Sequence, residues 1–583
     1  MALNGNVSAA GWEEGCYGAR HRIQDCVQRV GRSIFPNVPS DGAKRRDETV
    51  KKVFVKKDSY HDSVFLMLMS REARSASGVH DATVAMATEM NLDLLRSQGF
   101  EANSLAGATP NDLVIAVDCA SAEAADAALA AAKLALGKRP RPAVGGGAGS
   151  SPTSLSAAVA ALSGANLAVI SLPGTYAARE TRKALESGLH VMLFSDNVSL
   201  EDEIALKALS RRKGLLLMGP DCGTAIINGK PLCFANVVKR GPVGIVGASG
   251  TGMQEVSCLV DRAGSGVSQA IGAGGRDLKN ERVGGATMLM GIEALARDEE
   301  TKVIVVISKP PAKMVAERVL SALERGGKPA VVFFVGLAPE PERAGSMARF
   351  AANLEETAGM AVALAEGGSY TQRTFTLPAA EIEAIVERET RAIGGAQKYL
   401  RGFYTGGTLA DEAWMLVHQC TGAVYSNNHT DPRFILSDPH RSVGHTIVDL
   451  GDDAFTVGRP HPMIDPSARV ERMTAEREDA EIAVVLVDVV LGYGSHDDPA
   501  GALAPAVRTL REAARRRGGY LPVLASITGT EGDPQKLSLQ TAKLEAAGCV
   551  VMPSNHQASL LATKLLERLN DRSGKAGPAW TRR

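Results

Sequence analysis

The residues best equipped for chemistry stand in two glycine-rich turns. Gly244-Ile245-Val246-Gly247-Ala248-Ser249-Gly250-Thr251-Gly252 runs from an apolar, β-branched stretch straight into an amphipathic pattern. Free N–H groups at a helix start, with the partial positive charge of its dipole, attract an anion, and glycine lets that anion come up against the backbone. Thr405-Gly406-Gly407-Thr408-Leu409 precedes the helical stretch Ala410 to Gln419 in the same way. Ser249, Gly250, Thr251 and Gly252, with Gly406, Gly407 and Thr408, are therefore the candidates for holding a phosphate or similar anion. A tight strand-to-helix turn with Ser or Thr as its cap would read the same and bind nothing.

Four further clusters could take part. The turns Gly219-Pro220-Asp221-Cys222-Gly223-Thr224 and Gly272-Ala273-Gly274-Gly275-Arg276-Asp277 offer Pro220, Cys222, Arg276 and Asp277 as cleft-lining residues, or serve only as connections. His461-Pro462-Met463-Ile464-Asp465, flanked by Arg459 and Arg469, gathers an imidazole, a carboxylate and two guanidiniums. His461, Asp465 and Arg459 could do acid/base work or clamp a carboxylate substrate, and a proline-stiffened polar loop explains them equally. The run Gly492-Tyr493-Gly494-Ser495-His496-Asp497-Asp498 follows a strand pattern, at an edge that could face a ligand or simply solvent.

Positioning these residues requires several compact units, because 583 residues exceed what one core can organise. Lys plus Arg (65) balance Asp plus Glu (65), which argues against nucleic acid and for a small-molecule or protein partner. The eight cysteines are scattered without CxxC pairs or Cys/His clusters, so no metal site is expected and a reducing compartment is. No apolar run reaches membrane-spanning length and no secretory pattern opens the chain; the expectation is a soluble, cytoplasmic protein without membrane contact.

Residues 1–50 show little periodicity and read as a flexible extension. From Lys52 onward, short β-branched runs alternate with Ala-rich helical stretches, the pattern of βαβ units and parallel sheets. The expected class is α/β: a Rossmann-like domain over 51–238, then two flavodoxin-like domains over 239–393 and 394–583. Val53-Phe54-Val55 is taken as the first strand of the Rossmann-like domain.

Gly219-Pro220-Asp221-Cys222-Gly223, the run ending at Thr251, and Gly272-Ala273-Gly274-Gly275 resemble, in order and spacing, the α subunit of succinyl-CoA synthetase across Asn166 to Leu337. Gly406-Gly407-Thr408-Leu409, Ile447-Val448-Asp449-Leu450-Gly451 and the strand ending at Asp488 look like the carboxy-terminal ligase domain of its β subunit. An α-like half joined to a β-like domain, with Gly458-Arg459-Pro460-His461-Pro462-Met463-Ile464-Asp465, is similar to the FdrA-type branch of that superfamily. The resemblance implies a CoA-binding-type Rossmann-like domain, and two helices whose N-termini bind phosphate and approach one another. Those sites fall on Ser249, Gly250, Thr251 and Gly252, and on Gly406, Gly407 and Thr408.

The departures bear on mechanism. The family's phosphorylated His has no counterpart between Val335 and Met347, and its acidic partner is replaced by Ser308-Lys309-Pro310-Pro311, so a phosphohistidine relay is not expected. After Val53-Phe54-Val55, bulky side chains from Lys56 to Asp62 stand where the family has a Gly-rich cofactor loop, which puts CoA binding in doubt. No ATP-grasp domain is visible, so ATP would come only through a partner subunit. The resemblance implies an acyl or carbamoyl transferase subunit using phosphate or an acyl or carbamoyl phosphate, on a carboxylate or ureide, assembled with other subunits or with copies of itself. An ADP-forming acyl-CoA ligase subunit and a non-catalytic scaffold or ligand-sensing subunit are the alternatives.

Overall fold

The computed structural model describes residues 49–59, 63–74, 76–137, 152, 154–337, 346–456 and 459–572. The expected N-terminal extension lies outside them except for its last two residues, and so does the whole Gly/Ser-rich stretch 145–151, which reads from sequence as a flexible loop. The described residues divide into two compact units: one lies within 152–456 and 461–572, the other within 49–137 with 459 and 460. No helix among the described residues is long and apolar enough to cross a membrane.

In the smaller unit, β1 (Val50–Lys56), β2 (Val79–Met86) and β3 (Leu113–Cys119) form a sheet ordered β1-β3-β2, with β3 antiparallel to both neighbours. This corrects the parallel, Rossmann-like start expected from Lys52. The crossover from β1 through a helix to β2 is a split one, with β3 inserted between the two parallel strands. Its β-α-β periodicity is the same as that of an unsplit crossover, so the pattern alone does not reveal strand direction. β3, the central strand, is buried along nearly its whole length; β1 carries Lys51, Lys52 and Lys56 at an edge.

The larger unit carries three sheets. β4 (Leu167–Ile170), β5 (His190–Leu193) and β6 (Leu217–Met218) are parallel and form the Rossmann-like part. Next come β7 (Thr224–Ile227), β8 (Lys230–Cys233), β9 (Val243–Ala248), β10 (Val267–Gly272), β11 (Val303–Ser308), β12 (Ala330–Phe334) and β13 (Ala348–Phe350). They assemble as β13-β12-β11-β9-β10-β7-β8, so β7 and β8, expected within the Rossmann-like domain, extend the second sheet as an antiparallel edge. The third sheet is wholly parallel: β14 (Tyr399–Tyr404), β15 (Val424–Tyr425), β16 (His445–Asp449), β17 (Ile482–Val490), β18 (Val523–Thr528) and β19 (Cys549–Met552), ordered β15-β16-β14-β17-β18-β19.

β9, β11 and β17 are buried at every position, as strands covered by helices on both faces must be. One apolar cluster runs through both of the larger sheets' domains. It joins Met253, Val256 and Val260 of the helix Gly250–Arg262 to Leu409, Ala413 and Val417 of the helix Gly407–Thr421, and to Leu561 and Leu565 of the helix Asn555–Arg572. Because these helices share a core, their N-termini are held in fixed relation.

Two buried carboxyl groups complete this joint. Glu255 takes hydrogen bonds from the Thr528 hydroxyl and the Asn555 N–H; Glu412 takes them from the Leu354 N–H (3.0 Å) and the Asn555 side-chain amide (2.7 Å). Burial pushes Glu412 up to about 7, against the lowering effect of those two donors. A carboxyl group whose folded pKa lies above its unfolded value stabilises fully below the unfolded value, near 4.5, and loses that contribution as pH rises through 7. Urea unfolding at pH 5 and pH 8 should therefore show a loss on the order of 3 kcal/mol that Glu412→Gln abolishes; an identical pH slope in the variant would refute this.

Candidate functional site

Ser249 caps the helix Gly250–Arg262, its side-chain oxygen accepting from the Gly252 N–H at 3.1 Å. Gly406, capping the helix Gly407–Thr421, has no side chain to satisfy that helix's first amides, which are left for another acceptor. Both turns follow central strands, β9 and β14, at the carboxyl edges where open parallel sheets hold ligands. The two turns meet. The Ser249 and Thr408 hydroxyls are hydrogen-bonded at 2.7 Å, and a Cβ at Gly406 would come within 2.6 Å of the Thr251 methyl. A Cβ at Gly252 would lie 2.4 Å from Ser249 Oγ, so glycine is what permits this approach. Two positive helix ends at one spot repel each other, and negative charge between them relieves that cost.

Charged side chains complete the junction. A Cβ at Gly407 would meet Asp449 Oδ2 at 2.7 Å and Lys309 Nζ at 3.4 Å, placing both groups beside the first turn of that helix. Lys309 also pairs with Asp411 at 2.9 Å. Burial pulls the ammonium down, but Asp411, Asp449 and Asp221 outweigh it and hold Lys309 above its usual range. Burial raises Asp449 to about 6, opposed by Lys309 and by the Gly451 N–H. Asp221 keeps contact with solvent, yet the protein atoms crowding it, with the Asp196 carboxylate, raise it likewise to about 6. The arrangement is one ammonium group among three carboxyl groups, of which Asp449 and Asp221 are held where they exchange protons near neutrality.

The other expected site residues divide. Asp277 is wholly buried, where it pairs with Lys207 at 2.5 Å and accepts from the Thr287 and Met288 N–H groups that open the helix Ala286–Arg297. Cys222 is buried too, its thiol pushed up to about 12 by burial, so it presents no thiolate. Both side chains lie in the interior. Arg276 is bound to Glu203 and the Val198 carbonyl, yet it stays exposed and its charge lowers Asp221. The Pro220 carbonyl lies where a Cβ at Gly274 would be, so these two turns pack on each other.

The cluster near His461 is broken up as well. Arg459 groups with the smaller unit, whereas His461, Asp465 and Arg469 belong to the larger. Asp465 accepts from the Ser467 N–H, and Arg469 holds the Phe403 and Asp488 carbonyls at 2.6 Å and the Asp488 carboxylate at 3.0 Å. Asp488 in turn accepts from the Thr405 N–H and hydroxyl, fixing the second glycine turn from below. His461 alone of this group faces the junction: a Cβ at Gly451 would be 2.6 Å from its Nε2 and 3.2 Å from Asp449 Oδ1. The Gly492–Asp498 run docks on the chain after β8 through the Tyr493 N–H and Ala235 carbonyl, which makes it a clamp.

Residues 403–565 match the CoA-ligase family, 238–336 the CoA binding domain, and 49–152 the family described as AllF, heavy metal-associated domain. The chain is 43% identical over 515 residues to the uncharacterized protein YahF of Escherichia coli (strain K12), covering 88% of this chain and 98% of that one. The chain belongs to the succinyl-CoA synthetase superfamily. Its α-type part is 28% identical over 181 residues to the ADP-forming succinate–CoA ligase subunit alpha 2 of Archaeoglobus fulgidus, 30% of this chain and 61% of that subunit. It is also 28% identical over 191 residues to subunit SauD of the ADP-forming sulfoacetate-CoA ligase of Bilophila wadsworthia, 31% of this chain and 63% of that one. The chain thus matches under two thirds of either ligase subunit.

Membership in this superfamily removes the objection to CoA. That objection compared Val53-Phe54-Val55 with the family's cofactor strand, but β1 belongs to a separate antiparallel unit, and a CoA binding domain is matched elsewhere, at 238–336. A metal is a different matter. Cys119 is the one cysteine between residues 49 and 152, it is buried, and no group of three potential ligands occurs among the described residues. The described residues do not fit a heavy-metal site. Sequence reasoning passed over Lys309 and Asp449 as functional groups, although each stands at the carboxyl end of a parallel strand, β11 and β16.

Proposed function

We propose that this chain is the phosphate-handling subunit of an acyl or carbamoyl transferase in the FdrA-type branch, working in the cytoplasm without a phosphohistidine relay. One observation carries the reading: the abutting N-termini of the helices Gly250–Arg262 and Gly407–Thr421, with a charged Lys309 beside them. A phosphate bound there would meet oriented N–H donors that need no rearrangement as charge develops. One phosphate oxygen attacks the carbonyl carbon of the acyl donor and forms a C–O bond. The bond from that carbon to the leaving group breaks, its electron pair going with the leaving group. The proton given up by the phosphate passes to the leaving group, and Asp449 and Asp221, both near 6, are suited to move it. The products are an acyl or carbamoyl phosphate and the protonated leaving group. Carboxylates, ureides and acyl phosphates are the substrate class, and other subunits or copies of this chain are the expected partners.

A second reading, an ADP-forming acyl-CoA ligase subunit, is favoured by the CoA-ligase and CoA binding domain matches and by the names of the curated ligase relatives. It differs in requiring CoA, with ATP supplied through a partner. Phosphorus NMR of the chain, isolated from its own cells with whatever co-purifies, separates the two. Consumption of carbamoyl phosphate in the presence of an amine or amide acceptor and the absence of CoA supports transfer. Turnover only with CoA and nucleotide supports ligation.

A further inference from the structure

His461 Nδ1 accepts a hydrogen bond from the Met463 N–H at 3.2 Å. A backbone donor on Nδ1 requires a lone pair there, so the ring is neutral and its proton sits on Nε2. Burial supports the same state by holding the imidazole down at about 4. Nε2 has no hydrogen-bond partner among the described residues and lies against Gly451, beside the anion junction. Gly451, over which Nε2 lies, borders both Asp449 and the Thr405 carbonyl at the start of the second glycine turn, and any side chain at Gly451 would strike Nε2.

An apolar wall leads away from the imidazole. The Phe234 ring lies 5.6 Å from the His461 ring at 41°, and the Phe194 ring 5.6 Å from Phe234 at 45°. Phe194 follows β5, Phe234 follows β8 and His461 comes from the third domain, so three parts of the larger unit converge on this face. Such a wall suits a flat, uncharged group and excludes water from it, which strengthens any hydrogen bond made there.

We propose that the Nε2–H of His461 donates to the carbonyl oxygen of the group being transferred, while the helix termini and Lys309 hold its phosphate. His461 is then a catalytic residue acting as a neutral donor. It stabilises charge developing on the carbonyl oxygen without giving up its proton. This rests on the anion-site reading above and adds to it the side from which the carbonyl is held.

The test compares inorganic phosphate with carbamoyl phosphate as calorimetric probes of the full chain and of His461→Gln and His461→Asn. The Gln side-chain amide can reach the Nε2 position with an N–H donor; that of Asn falls short. Phosphate affinity should be unchanged in both variants. Carbamoyl phosphate affinity should fall about tenfold in His461→Asn and stay within about threefold of wild type in His461→Gln. Equal losses for both probes, equal effects of both variants, or no effect of either would overturn the proposal and assign His461 a packing role. A wild-type chain binding neither probe would overturn the anion-site reading beneath it, a failure visible before any variant is made.

Discussion

Lys309→Met is expected to weaken inorganic phosphate binding by about a hundredfold while leaving the chain folded. The ammonium stands beside the first turn of the helix Gly407–Thr421 and is kept charged by Asp411, Asp449 and Asp221. A charge-assisted hydrogen bond to a phosphate oxygen contributes roughly 2–3 kcal/mol, which is about the hundredfold. The variant removes the attraction and also leaves Asp411 and Asp449 less neutralised, so both effects act in the same direction. Lys309→Arg keeps the charge and should lose far less. Lys309 is partly exposed and lies outside the apolar clusters, so circular dichroism should show an intact fold. Calorimetry giving equal phosphate affinity for wild type and Lys309→Met would remove the lysine from the site.

A comparable effect, on stability, is expected at Arg469. Its guanidinium holds two carbonyls and the Asp488 carboxylate, and Asp488 is wholly buried. Arg469→Met leaves that carboxylate without its cation, a change that costs about 3–5 kcal/mol in buried pairs. Burial already raises the Asp488 pKa against the lowering effects of Arg469 and of the Thr405 N–H and hydroxyl. Removing the arginine should raise it further. Because Asp488 anchors Thr405, the damage should extend to the glycine turn beside it. Urea unfolding measures the loss, and Arg469→Met combined with Asp488→Leu should recover much of it by removing the stranded charge. A single variant within about 1 kcal/mol of wild type would show that the pair is not needed.

Part of this site is legible in the sequence because its signals are local. Ser249 before Gly250-Thr251-Gly252 announces a capped helix at a strand end, and the cap forms as the residues suggest. What is not local is legible only through resemblance. Ser249 and Thr408 are 159 positions apart; the family likeness implied that their turns approach, and the shared core of three helices is what brings the hydroxyls together. Lys309 and Asp449 stand at the ends of ordinary buried strands in stretches noted only for family likeness or departure, so their convergence on Gly407 follows from the fold alone. Arg276-Asp277 shows the opposite error. Two charged residues in a loop suggested a cleft, but Asp277 turns inward to cap a helix while Arg276 stays at the surface. The antiparallel β1-β3-β2 sheet was missed because periodicity reports strands and helices without reporting direction.

The most direct measurement is calorimetric titration of the full chain with inorganic phosphate, beside the variant Gly250→Val. Gly250 is exposed, and a Cβ there meets only the Thr224 hydroxyl at 3.3 Å, so the branched side chain crowds the open turn and spares the core. The expected result is one phosphate bound per wild-type chain, and none by a variant whose unfolding midpoint is unchanged. A wild-type chain that gives no heat with phosphate, or a Gly250→Val chain that binds it equally well, would contradict the placement of an anion at the two helix ends.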